Sequence, residues 1–313
     1  MSAFTNAQHQ QKKYYRTSRL TLKERDSLFG YLFISPMLIG FILTVLVPLG
    51  MVFYYSFQTR NMLAQTWSYA GLDNYAKLLG GDPIFSKVLG NTLIFTAGLV
   101  PLNVILALVL AVLLNRLMHG STLFRVLFFA PVVTSAAAWA IVWRFVLQGE
   151  NGTLNSILGM AGIEGPNWLR DPNWAMFSVI FTRVLKNVGL NMIILLAALQ
   201  SIPREYEEAA QVDGATVWGR FINITVPLLG PTLLLTTVLT VVGSLKVFDH
   251  IVLMTNGGPA NSTMVLVNYV YFQAFKVFDT GYASALAMIL FVLALGATVI
   301  QWQLRKRFIY NEV

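Results

Sequence analysis

Of 313 residues, 56% are hydrophobic and only 12% charged, and mean hydropathy is +0.63, whereas in ordinary soluble domains about a quarter of residues are charged. That balance excludes a soluble globular protein and puts the chain in a bilayer. The formal charge of +8 does not argue for nucleic acid, because the basic residues lie mainly beside apolar runs, where they orient a protein in a membrane; the absence of cysteine removes disulfides, thiolate metal sites and a cysteine nucleophile.

Residues 1–28 carry Lys12, Lys13, Arg16, Arg19, Lys23 and Arg25 against Glu24 and Asp26 and lack the early apolar core of a secretory signal, so they read as a basic cytoplasmic tail. Residues 29–313 read as one all-α membrane domain of six transmembrane helices. The first span, 29–57, holds no charge, exceeds the roughly 20 helical residues that cross a hydrocarbon core, and contains Pro36 and Pro48, which are expected to kink it. A mixed outer loop with Gly71-Leu72-Asp73-Asn74-Tyr75 precedes a second uncharged span, 88–115, and a turn with Arg116, His119 and Arg125. Eighteen uncharged residues between Arg125 and Arg144, Pro131 among them, form the third span. After a second outer loop come the fourth span, about 174–199, a polar segment at about 201–220 and the fifth span, 221–245. The turn Thr255-Asn256-Gly257-Gly258-Pro259 and a sixth span, about 280–304, stopped by Arg305-Lys306-Arg307, complete the chain. Thirteen basic residues fall in the tail, the 116–125 turn, the 201–224 segment and the C-terminus, against six in the opposite loops. The excess puts both termini and the 201–224 segment in the cytoplasm.

In that segment Ser201 is expected to cap a helix whose first turns hold Pro203, Glu205, Glu207 and Glu208, where free amides and the positive dipole end favour acids. Ala209 and Ala210 add almost no bulk, and Gly214 permits a backbone reversal. This reads as a docking surface; the plainer alternative is an amphipathic loop helix between two spans. The spacing Glu208-Ala209-Ala210, three residues, Gly214, nine residues, Ile224-Thr225-Val226-Pro227 resembles the signature of the permease subunits of binding-protein-dependent ABC importers, with Val226 where leucine is usual. The resemblance implies that this is the coupling helix, with Glu208, Ala209, Ala210, Asp213, Gly214 and Pro227 facing a separate ATPase. Gly71 to Tyr75, Phe248 to Ile251 and the Gly-Gly-Pro turn resemble the carbohydrate permeases related to the maltose and glycerol-phosphate systems.

From this likeness follow several expectations: the type I permease fold in a bacterial cytoplasmic (inner) membrane, a second homologous permease in a heterodimer, two ATP-binding subunits and an extracytoplasmic solute-binding protein. ATP and Mg2+ would be bound by the partner ATPase, so this chain would hold no cofactor and would not be an enzyme.

Charges inside spans are costly and usually face a protein interior or an aqueous cavity. In the fourth span Arg183, Lys186, Asn187 and Asn191 occupy an arc of about 140° at 100° per residue. That stripe reads as lining a translocation pathway; its two cations, with Lys246 in the next span, also suit an acidic substrate such as a uronate oligomer or a glycerol phosphate. Against this, Arg183 and Lys186 could snorkel to the interface and the asparagines merely bridge helices, while Lys246 could pair with Asp249. No phosphate-cradling loop occurs, and His9, His119 and His250 are too scattered for a metal site. The rival from another class, an ATP-independent secondary transporter or channel, would predict two similar halves, and no internal repeat stands out.

Overall fold

The computed structural model of the protein describes residues 22–61, 66–115, 120–150 and 152–308; the basic tail through residue 21 and the turn holding Arg116 and His119 lie outside them. The chain divides into two units, residues 1–54 and 55–313. In the first, α1 (Leu22–Phe41) passes through a π-helical turn, Ile42–Leu46, into α2 (Val47–Tyr55). Pro48 lacks an amide hydrogen and its ring crowds the carbonyl four residues back; the widened turn ahead of it makes room. The expected kink is therefore a π turn, and residues 29–55 remain one helix.

The second unit opens on a hairpin, β1 (Gln58–Asn61) with β2 (Thr66–Tyr69), and continues through α3 (Asp73–Ala76), α4 (Pro83–Asn115), α5 (Ser121–Val133), α6 (Ala136–Val146), α7 (Thr153–Met160) and α8 (Pro172–Ser201). Then come α9 (Arg204–Val212), α10 (Val217–Arg220), a π turn, α11 (Val226–Leu228), α12 (Gly230–Leu245), α13 (Asp249–Met254), α14 (Leu266–Phe272) and α15 (Thr280–Phe308). Four stretches are unbroken apolar helices long enough to cross a membrane: 29–55, α4, α8 and Thr280–Gln303. Two bent pairs complete six, α5 with α6 at 102° and Val217–Leu228 with α12 at 67°.

Two boundaries differ from expectation. The second span starts at Pro83, because Asp82 caps it: Oδ1 accepts the amides of Ile84 at 2.8 Å and Phe85 at 3.3 Å, and proline suits a first helical position. The third span is not straight. Pro131 cannot donate a helical hydrogen bond, Thr134 and Ser135 are extended, and α6 restarts at a large angle.

Helices α4 and α8 form the central pair, with Phe95, Leu99, Val179, Ile180 and Val184 buried towards one end and Ala107, Ala111, Val188, Met192 and Leu195 towards the other. Without a hydrophobic drive between helices in lipid, close backbone approach at small residues supplies the packing. A Cβ on Gly189 would lie 2.0 Å from the carbonyl oxygen of Phe128, so α8 meets α5 backbone to backbone there. At the α15 end, Asn74 Nδ2 donates to the carbonyls of Ser56 and Gln58 at 2.9 Å each, and the Tyr75 hydroxyl to Ser56 Oγ at 2.7 Å. A Cβ on Gly281 would fall 1.9 Å from the Gln58 carbonyl oxygen. The Asn-Tyr pair of the Gly71 motif thus holds the entry to the hairpin, and Gly281 lets the start of the last span pack against it.

Candidate functional site

The polar segment after α8 is built as an exposed helix, a tight reversal and a second short helix. Ser201 is not its cap: its hydroxyl donates to the Ala198 carbonyl at 2.8 Å and closes α8. Pro203 instead precedes α9, with Glu205 and Glu207 in its first turn. The expected 201–220 helix is therefore two pieces, 204–212 and 217–220. The amide of Ala215 bonds to the Ala210 carbonyl at 2.9 Å and that of Gly214 to Gln211 at 3.1 Å, the paired bonds of a Schellman end, with Gly214 left-handed at φ +79°. Thr216 Oγ1 then accepts the Gly219 amide at 3.1 Å, and Arg220 Nη1 donates across the turn to Gln211 Oε1 at 3.1 Å. Glu208, Ala209, Asp213 and Gly214 are exposed, Ala210 half-buried, and Pro227 exposed one π turn beyond. Tyr206, Val212, Val217 and Trp218 are exposed as well, Val212 by 88% and Trp218 by 70%. Large exposed apolar side chains on an otherwise polar segment are a feature of contact surfaces.

The membrane stripe is brought together only in part. Asn191 is buried and its Nδ2 donates to Asn103 Oδ1 at 2.5 Å on α4 and to Thr240 Oγ1 at 2.8 Å on α12, so one amide joins three helices. Lys186, 6% exposed, donates to the carbonyls of Pro131 at 2.8 Å and Thr134 at 2.6 Å. These are carbonyls beside the break between α5 and α6, and an unsatisfied one would cost several kcal/mol in lipid. Arg183 is half-buried, its Nη1 3.4 Å from His250 Nδ1 and its Nε without a partner. Asn187 is half-buried and forms no hydrogen bond within the described residues. It shares one face of α8 with Arg183, Leu190 and Ile194, spread over about 60°. Lys246 is exposed at the end of α12, on the face that also shows Leu235 and Leu239. It forms no ion pair with Asp249; among the described residues the ion pair is Lys77 with Asp279, at 3.7 Å.

Sequence reasoning missed Asn103 and Thr240, the acceptors of Asn191, although an asparagine within the apolar run 88–115 was a signal in itself. It also missed the scaffold of the Gly-Gly-Pro turn. Lys87 Nζ donates to the Ala260 carbonyl at 2.7 Å, and Asn91 Nδ2 to the carbonyls of Asn261 and Met264 at 2.8 and 3.0 Å. No group of three or more metal-ligating side chains occurs among the described residues.

The family model for the inner membrane component of binding-protein-dependent transport systems matches residues 103–310. The chain belongs to this family. The lactose transport permease protein LacF of Rhizobium radiobacter is 35% identical over 91% of this permease and 97% of its own length. A bacterial alginate ABC transporter, crystallised with an alginate pentasaccharide-bound periplasmic protein, contains a chain that superposes with a TM-score of 0.80 at 24% identity, over 95% of this permease and all of that chain. A second structure, of a bacterial ABC transporter involved in importing the acidic polysaccharide alginate, gives 0.76 at 25% identity over 90% and 96%. The permease therefore has the type I importer fold and is a multi-pass membrane protein; its kin are transport subunits.

Proposed function

We propose that this permease is one half of the membrane pathway of an ATP-driven carbohydrate importer in a bacterial cytoplasmic membrane, and that it catalyses nothing itself. The observation that carries this is the exposed α9 turn: a rigid helix end, a left-handed Gly214 with open space beside it and an apolar cluster, at the cytoplasmic end of the central helix α8. Glu208, Ala209, Ala210, Asp213 and Gly214 would seat in an ATP-binding subunit, with Pro227 setting the path of the next span. A second homologous permease, two such ATPases binding ATP and Mg2+ and an extracytoplasmic solute-binding protein complete the assembly. Closure of the ATPases would move α9 and, through α8, the membrane helices, opening the pathway to solute delivered from outside.

Carbohydrate is supported by the sugar-permease motifs and by the lactose transport of LacF. Along the pathway Arg183 and Asn187 supply the stripe's uncommitted donors, which can meet sugar hydroxyls or an acidic group. Lys186 and Asn191 act one step back, holding the bend of α5 against α6 and the α4–α8–α12 junction.

Gentle purification from native membranes, with mass spectrometry of what accompanies the chain, tests the assembly. An ATPase and a second six-span permease should co-purify, and Gly214→Leu with Glu208→Ala should release the ATPase while leaving membrane insertion intact. A chain that emerges alone and transports in liposomes without ATP would overturn the reading in favour of a secondary transporter.

A further inference from the structure

At the end of α8 opposite the coupling turn, about 45 Å away for a thirty-residue helix, the last turn of α6, the loop before α8 and the end of α13 enclose a cleft of about 500 Å³. Its rim carries Arg144, Gln148, Asn167, Arg170 and Asn256, with Phe145 as an aromatic wall. Beneath them Leu169 and Met254 belong to the buried core. No acidic residue is among the lining residues, and neither guanidinium has a carboxylate partner among the described residues. The nearest carboxylate in sequence, Asp171, is turned to the start of α8, where it accepts the Asn173 amide at 2.9 Å.

The loop that forms one wall is built in advance. Asn155 Nδ2 donates to the carbonyls of Gly149 and Pro166 at 3.0 and 3.1 Å, its Oδ1 accepts Trp168 Nε1 at 2.6 Å, and the Ser178 hydroxyl holds the Trp168 carbonyl at 2.9 Å. A Cβ on Gly149 would lie 3.1 Å from the Asn167 amide, so the glycine lets that side chain stand at the rim. Arg144 spends one donor on the Leu253 carbonyl at 3.4 Å and keeps the rest. Two cations on the outer face run against the charge asymmetry that orients the protein, so membrane topology does not account for them. Of the outer lysines, Lys77 pairs with Asp279, Lys87 holds the Gly-Gly-Pro turn and Lys276 lies on the π turn after α14, away from the cleft.

The geometry points to a carboxylate-receiving subsite at the outer mouth, where Arg144 and Arg170 take the acid group of a sugar-acid unit, the Gln148, Asn167 and Asn256 amides take its hydroxyls and Phe145 covers a ring face. Guanidinium matches carboxylate geometry, and such charge-assisted bonds are the strong ones. The volume suits one or two sugar rings within the ordinary range of small-molecule sites. This inference rests on the carbohydrate reading above and deepens it: an acidic solute would be met outside the membrane before reaching Arg183.

The assembled transporter in lipid nanodiscs, without solute-binding protein, is titrated with D-galacturonate and separately with D-galactose, followed by saturation-transfer NMR. Galacturonate should bind and weaken with added salt, and galactose should give no signal at the same concentration. Arg170→Gln should weaken galacturonate about tenfold or more, Arg144→Gln likewise, and Lys276→Gln, an exposed outer cation away from the cleft, should leave it unchanged. Arg170 is exposed, so its variant tests the site even where Arg144→Gln fails to assemble. Absence of galacturonate binding, equal binding of both sugars, or binding lost with Lys276 and indifferent to Arg170 would each overturn the subsite. ATPase co-purification from the same samples separates this outcome from a failure of the importer reading.

Discussion

At the scale of single residues, the decisive fact about α8 is where its polar groups are already committed. Arg183, Lys186, Asn187 and Asn191 share one arc, as helical periodicity requires, but periodicity does not say which neighbour each part of the arc meets. Lys186 meets the broken third span, and its ammonium donates to the Thr134 carbonyl at the break and to the Pro131 carbonyl, which also accepts the Thr134 amide at 3.2 Å. Lys186→Met keeps the apolar stem and deletes the donors, removing two hydrogen bonds from a charged group, each typically worth about 1.5–3 kcal/mol. The purified complex should then melt several degrees lower, with solute selectivity among the transporters that still assemble unchanged. An unaltered melting temperature, or a change of selectivity without loss of stability, would move Lys186 from scaffold to pathway. Gly214 was legible from sequence because a helix end is local; the role of Lys186 was not, since its partners lie more than fifty positions away.

At the scale of elements, the outer ends of α4, α14 and α15 converge on one carboxylate. Asp82 Oδ2 accepts the hydroxyl of Tyr269 at 2.5 Å and that of Tyr282, while Oδ1 caps α4. Burial pushes the Asp82 carboxyl up, but the two hydroxyls and then the amides of Ile84 and Phe85 outweigh it, and its pKa lies below the ordinary 3.8. Burial first, and the bond to Asp82 next, push the Tyr269 hydroxyl up to about 12, which keeps it a donor. A carboxyl more acidic folded than unfolded stabilises the fold above its unfolded pKa and loses that contribution as pH falls through the folded one. The complex should therefore melt lower as pH drops below about 4. Asp82→Asn should be less stable at pH 7 and decline less on the acid side; parallel pH profiles for the two proteins would remove Asp82 from the ledger. The six apolar crossings were legible because length and hydropathy decide them. The bend of 102° was not, because proline in a membrane helix can be absorbed as a π turn, as near Pro48, or as a break, as after Pro131, and hydropathy does not distinguish the two.

At the scale of the whole transporter, α8 has the coupling turn at one end and the arginine cleft near the other, and its middle is locked to α4 through Asn103 and to α12 through Thr240. Motion delivered to α9 has few soft joints to dissipate in: Arg220 braces the reversal against Gln211, and Gly214 closes it with paired backbone bonds. In the proposed importer the joint that must form is the one with the ATPase, and Trp218, packed beside Phe221, remains 70% exposed. An interface of this kind draws most of its binding from a few large aromatic anchors. Trp218→Asp places a charge where that anchor would be desolvated, in the exposed first turn of the bent fifth span beside Phe221, and leaves the side-chain hydrogen bonds of Thr216 and Arg220 in the turn in place. The variant should insert and pair with its partner permease at normal levels, yet lose the ATPase on purification and lose uptake by at least tenfold. Gln200→Ala, an exposed change on α8 ahead of the docking turn, should alter neither. If Trp218→Asp retains both ATPase and uptake, the docking face lies elsewhere on the α9–α10 segment, and the acidic side of α9 around Glu205 and Glu208 becomes the surface to alter next.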